Sequence, residues 1–143
     1  MNKTELMIND WVLVKYTKHV GDEHQIFLIK TQVKEIHDVM VYVVIDKVDI
    51  KEPVPIDYNI VYPIPLTETI LQDSDFIKCH KKGEENIKEK TVWLLDELEI
   101  VQIKDDNGNR FYYNNGNVCF KHVHELQHIM KLHNLTQGIN IKK

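Results

Sequence analysis

His124-Glu125-Leu126-Gln127-His128 fits the pattern His-Glu-x-x-His. On a helix, two imidazoles one turn apart can grip zinc while the glutamate takes a proton from metal-bound water. Taken literally, the motif describes a zinc-dependent hydrolase with His124 and His128 as metal ligands and Glu125 as catalytic base. Helical geometry argues otherwise. At about 100° per residue, the apolar stripe of Val123, Leu126, Ile129 and Met130 centres nearly opposite the arc shared by His124 and His128. Both rings are therefore expected to face water. His133 lies about half a turn round from His124 and cannot join the same ion. A third ligand would have to come from His19, His24, His37, His80, Glu84, Glu85 or the hairpins, and no spacing specifies which. The preferred reading is a helix with histidines on its wet face and no catalytic, cofactor or metal site, zinc belonging only to the alternative. A weaker reading makes His124 and His128 a contact surface tuned by protonation near neutral pH. His122 is expected at the helix start.

Other chemistry is thinner. Asp105-x-Asn107-x-Asn109 begins like a calcium loop, but Arg110 stands where glycine must make the turn and Gly116 where a glutamate ligand belongs. Cys79 and Cys119 lack Cys-x-x-Cys spacing and read as buried small hydrophobes. No glycine-rich phosphate loop or Gly-x-Ser-x-Gly elbow is present in the sequence. Trp11, Tyr16, Phe27, Tyr42 and Phe111-Tyr112-Tyr113 fall on strand-like runs, where aromatics usually form core or cross-strand pairs. Alternation puts Phe111 and Tyr113 on one face and Tyr112 on the other, so at least one should be partly exposed. Small barrels bind nucleic acid by stacking bases on such residues beside lysines, which makes a nucleic-acid binder a second alternative. Here Lys81, Lys82, Lys88 and Lys90 are interleaved with Glu84, Glu85 and Glu89, cancelling much of the field.

The elements that must carry these residues follow from pattern. The chain has 143 residues, 43% hydrophobic and 28% charged, enough for one compact unit with two lobes. Eighteen basic against twenty-two acidic side chains give a formal charge of -4, which advertises neither nucleic acid nor an anionic membrane. The longest apolar run, Val39 to Ile45, is far short of the roughly 20 residues of a membrane helix. Trp11 to Val14, Ile26 to Ile29 and Val39 to Ile45 are strand runs, one turn holding Gly21-Asp22. Pro53, Pro55, Pro63 and Pro65 confine Asn59 to Tyr62 to an edge strand. A meander closed by such a turn predicts a small barrel over residues 1–66. Thr67 caps a helix to about Ser74, a hinge between the halves. Phe76 to Cys79, Trp93 to Leu95 and Leu98 to Ile103 read as strands, and Lys81 to Lys90 as a solvated loop. Asp106-Asn107-Gly108-Asn109 and Asn114-Asn115-Gly116-Asn117 predict two hairpins. An amphipathic helix from about His122 to Asn134 follows. The expected fold class is α+β: an N-terminal Src-homology-like β-barrel, a linking helix, and, over residues 67–143, an antiparallel meander packed by the C-terminal helix.

Three stretches carry a resemblance: Ile8-Asn9-Asp10-Trp11-Val12, Pro63-Ile64-Pro65-Leu66-Thr67-Glu68-Thr69-Ile70-Leu71 and Val123-His124-Glu125-Leu126-Gln127-His128. Together they resemble a family of small proteins from gut Bacteroidales genomes, their prophages and phages. Members usually have glycine where this chain has Asn9 and proline where it has Glu68, departures of turn geometry rather than chemistry. The resemblance implies a phage or mobile-element setting and assigns no site. The expected function is a non-catalytic protein-binding or structural module, engaging a phage or host protein through an exposed sheet edge or barrel loops. With no secretory leader read ahead of Asn2-Lys3-Thr4 and no cysteine framework, the expected compartment is the bacterial cytoplasm, with virion association the other setting.

Overall fold

The computed structural model describes residues 1–45, 52–80, 89–105, 108–113 and 117–142; for residues 18–20, 80, 89 and 105 it describes the backbone alone. The contacts divide the chain into two units, residues 1–64 with 141–143 and residues 65–140.

The first unit is one antiparallel sheet of five strands, β1 (Trp11–Val20), β2 (Glu23–Ile36), β3 (Met40–Val43), β4 (Val54–Asp57) and β5 (Val61–Pro63), in the order β4-β3-β2-β1-β5. Gly21, at φ 64, supplies the left-handed residue that lets β1 turn tightly into β2. Strand alternation then sorts the side chains. Val12 and Val14 of β1, Ile29 and Val33 of β2 and Val61 of β5 point inward and are nearly inaccessible. A register shift between Val33 and Glu35 bends β2 where it passes from pairing with β1 to pairing with β3. Leu6 and residues from all five strands meet in a single apolar cluster, so the sheet wraps its own inner face. The entry into β1 is fixed by Asn9, at φ 73, and by buried Asp10, whose Oδ2 accepts the Met7 N–H at 2.8 Å.

The expected barrel does not form: among the described residues neither sheet closes. β4 and β5 end the order on opposite sides and are joined by a 3-10 turn, Tyr58–Ile60. Pro55 within β4 and Pro63 at the end of β5 lack the N–H groups that a closing ladder would use. Asn59 and Ile60, read as strand, belong to that turn, which Asp57 Oδ1 caps by accepting the Asn59 N–H at 2.8 Å.

The second unit is a five-stranded meander, β6 (Ile77–His80), β7 (Glu89–Leu95), β8 (Leu98–Asp105), β9 (Gly108–Tyr113) and β10 (Val118–Phe120), with each strand paired to its sequence neighbour. The molecule is thus mostly β, two open antiparallel sheets, in place of the α+β barrel arrangement. Asp96, at φ 51, turns β7 into β8. The two Asn-Gly regions do connect hairpins, with Asp105 opposite Gly108 and Tyr113 opposite Val118. Residues 106–107 and 114–116 of those turns, and 81–88 of the charged run, lie outside the described residues. Helix α1 (Glu68–Asp73) starts at Thr67, whose Oγ1 accepts the Ile70 N–H. Helix α2 (Val123–Leu132) starts at His122 and buries Val123, Leu126, Ile129 and Met130, the expected stripe.

Inside this unit a polar thread runs through the apolar packing. Trp93 Nε1–H donates to Gln102 Oε1 at 2.9 Å, and Gln102 Nε2–H donates to Glu68 Oε1 at 3.1 Å. Lys78 lies 5.8 Å above the Trp93 ring and 3.9 Å from Glu68. Trp93 is wholly buried and Gln102 nearly so, which makes this pairing the condition for burying the indole N–H.

Candidate functional site

The start of α2 gathers the motif residues and then uses them structurally. Pro65 bridges His122, and the Leu66 N–H donates to the Lys121 carbonyl at 2.8 Å, holding the chain where it enters the helix. Glu125 is the third residue of α2, and its carboxylate turns back to the helix start. Oε1 accepts from the His122 N–H at 3.2 Å, from the Lys121 N–H at 3.3 Å and from His122 Nδ1 at 2.9 Å. This is the glutamate half of a capping box, satisfying donors that a helix start leaves free and placing negative charge at the positive end of the dipole. A base for metal-bound water would need that carboxylate aimed at the gap between the two histidines.

The histidines also depart from the wet-face expectation. His124 is buried at 6% exposure, and His128 is half-buried. Periodicity counts only the angle about the helix axis and not what packs on that side, where two neighbouring imidazoles lie against the His124 ring. His122 stacks on His124 with centroids 5.8 Å apart and planes at 12°, and His128 meets His124 edge-on at 5.7 Å. The cap residue, outside the helical repeat, thus closes over the first turn. His133 ends α2, and its Nε2 shares a hydrogen bond with Tyr113 Oη of β9.

Among the described residues no group of three His, Cys, Asp or Glu side chains is placed to hold a metal ion. Of the candidate third ligands, Glu84 and Glu85 lie outside the described residues, as do the side chains of His19 and His80; His24 and His37 belong to the first unit. A shallow hollow of about 100 Å³ between Met130, Lys131 and the segment from Leu135 to Ile139 has room for a few waters only. Asn107 of the calcium-like run is likewise outside the described residues, while Asp105 and Asn109 pair across the β8–β9 hairpin with Gly108 and Lys104.

Neither cysteine is the buried small hydrophobe expected. Cys119 is exposed and Cys79 half-buried, on the edge strands β10 and β6, and Cys119 takes the face opposite to that of buried Phe120. Phe111 is buried, and Tyr112 and Tyr113 are half-buried. Sequence reasoning passed over the most exposed apolar pair among the strands of the first hairpin, Ile26 and Leu28, 60% and 64% exposed. Their positions two apart in a strand run were a signal that they share a face, but nothing in the run says which face is buried.

Two antiparallel sheets that stay open among the described residues, a glutamate that caps a helix start and a buried imidazole define a β-rich scaffold in which the His-Glu-x-x-His motif is built into a helix terminus. Comparisons with protein-family models, with curated proteins and with solved structures find no match. Among the described residues no helix is long and apolar enough to cross a membrane.

Proposed function

We propose that the chain is a non-catalytic protein-binding module of a phage or mobile element of gut Bacteroidales, acting in the host cytoplasm and engaging its partner through open sheet surface. The observation that carries this reading is that, among the described residues, both sheets end in strands laddered on one side only, β4 and β5 in one, β6 and β10 in the other. The proline-free edges β6 and β10 offer backbone donors and acceptors to an added strand, and Ile77 on β6 sets a 67% exposed side chain beside one of them. The use of Glu125 as a cap supports the non-catalytic part, and the motif resemblance supports the phage setting. Affinity purification of the tagged chain from a phage-infected host tests it. A stoichiometric partner, or a defined oligomer by light scattering, is the expected result. A monomer that captures nothing specific overturns it.

A further inference from the structure

We propose that the outward face of β2, β1 and β5 docks an amphipathic helix of a partner protein whose apolar stripe is flanked by carboxylates. This deepens the binding-module reading and rests on it. The register fixes the face: Leu28 stands opposite Lys15, Lys30 opposite Leu13, and Leu13 opposite Tyr62. Val12, Val14, Ile29 and Val61 take the inner positions, so Ile26, Leu28 and Tyr62 point outward and stay 60%, 64% and 42% exposed. Three such side chains leave an apolar surface on the order of 300 Å², the size at which a patch on a soluble protein often marks an interaction site.

Charge selects the occupant. The outward positions of these three strands run Trp11, Leu13, Lys15 and Thr17, then Ile26, Leu28, Lys30 and Gln32, then Tyr62, without one carboxylate, on a chain of net charge -4. Lys15 stands opposite Leu28 on β1 and Lys30 follows Leu28 by two residues on β2, both exposed, and Lys30 Nζ donates to the Lys142 carbonyl at 3.2 Å, which holds its charge beside the patch. A second copy docking the same face two-fold would bring these lysines against their mates, a like-charge cost. A carboxylate-flanked apolar helix meets both features, with its apolar residues on Ile26 and Leu28 and its acids on Lys15 and Lys30.

Fluorescence anisotropy of the full chain with two synthetic helical peptides tests this, one with a leucine stripe flanked by glutamates, the other the same stripe flanked by lysines. Saturable binding of the glutamate peptide, about tenfold tighter than the lysine peptide, is expected. Leu28→Ser, at an exposed position that leaves the thermal midpoint in place, should weaken it about tenfold. The double variant Lys15→Glu/Lys30→Glu should reverse the preference. Equal binding of both peptides, no effect of Leu28→Ser, tighter binding of single-stranded oligo(dT) lost in Leu28→Ser, or a dimer that Leu28→Ser dissolves would each overturn the proposal. A Leu28→Ser chain that still captures its host partner would sink this face while sparing the binding-module reading; a wild-type chain that captures none would sink that reading.

Discussion

Replacing Glu125 by alanine separates a structural glutamate from a catalytic one. Its Oε1 serves three donors, and the variant removes all three acceptor contacts at once. Two of these are long for N–H···O bonds, at 3.2 and 3.3 Å, and so count for less than a full cap each. The third, to His122 Nδ1, joins groups 35% and 36% exposed, so its ionic part is largely screened. Helix-capping contacts typically contribute about 0.5–2 kcal/mol, which places Glu125→Ala near 1 kcal/mol of lost stability. For a chain of this size that is a fall of about 3–5 °C in Tm. Glutamine keeps an acceptor and completes a capping box nearly as well, so Glu125→Gln should recover at least half of the loss. Urea melts followed by far-ultraviolet circular dichroism, with Tm from calorimetry, read both variants. A catalytic base gives the opposite pattern, with stability intact in both variants and a chelator-sensitive hydrolysis abolished in both. An unchanged Tm for Glu125→Ala would refute the capping argument.

Gln102→Leu strips the acceptor from the buried Trp93 N–H and should cost about 1–3 kcal/mol, read in the same melts, with a shift in tryptophan emission as the indole environment changes. Asn9→Gly should be neutral or stabilising by a few tenths of a kcal/mol, whereas Asn9→Val, forcing a β-branched residue to φ 73, should cost about 1 kcal/mol or more in the urea midpoint. The hydrogen bond from the Lys3 ammonium, with its charge, holds the Asp38 carboxyl below the usual carboxylate range, and the same contact raises Lys3. Whatever this exposed pair adds is present above the unfolded carboxylate pKa, is lost as pH falls through the lowered Asp38 value, and at the alkaline end is lost as pH rises through the raised Lys3 value. An NMR titration should show the Asp38 midpoint return to normal in Lys3→Met.

Local chemistry was legible where a single residue decides the geometry. Gly21 marked the first hairpin, the Asn-Gly pairs marked the later ones, and Thr67 marked the start of α1. The apolar repeat of α2 named its buried stripe. The barrel was misjudged because the alternation of β1 to β5 states which side chains point inward but leaves open whether the two end strands meet. That depends on backbone donors, and Pro55 and Pro63 remove them just where β4 and β5 would have to pair. His124 departs from expectation for a related reason: periodicity counts the angle about the helix axis and not what packs on each side, and His122, before the helix and outside any periodic count, stacks on its ring. Cys79 and Cys119 lie in short apolar stretches that look internal, and their type does not say which face of the strand is covered, as exposed Cys119 beside buried Phe120 shows. The outward stripe of Ile26 and Leu28 hid within a run that reads as core from composition alone.

The length of β2 gives the molecule a mechanical character. One continuous backbone from Glu23 to Ile36 runs from the hairpin tip, through ten rungs shared with β1, to the bend where it joins β3. Hydrogen bonds in such a ladder stand perpendicular to the strands. A pull along the axis that falls on β2 and is resisted by β1 therefore strains the rungs together in shear instead of peeling them apart singly.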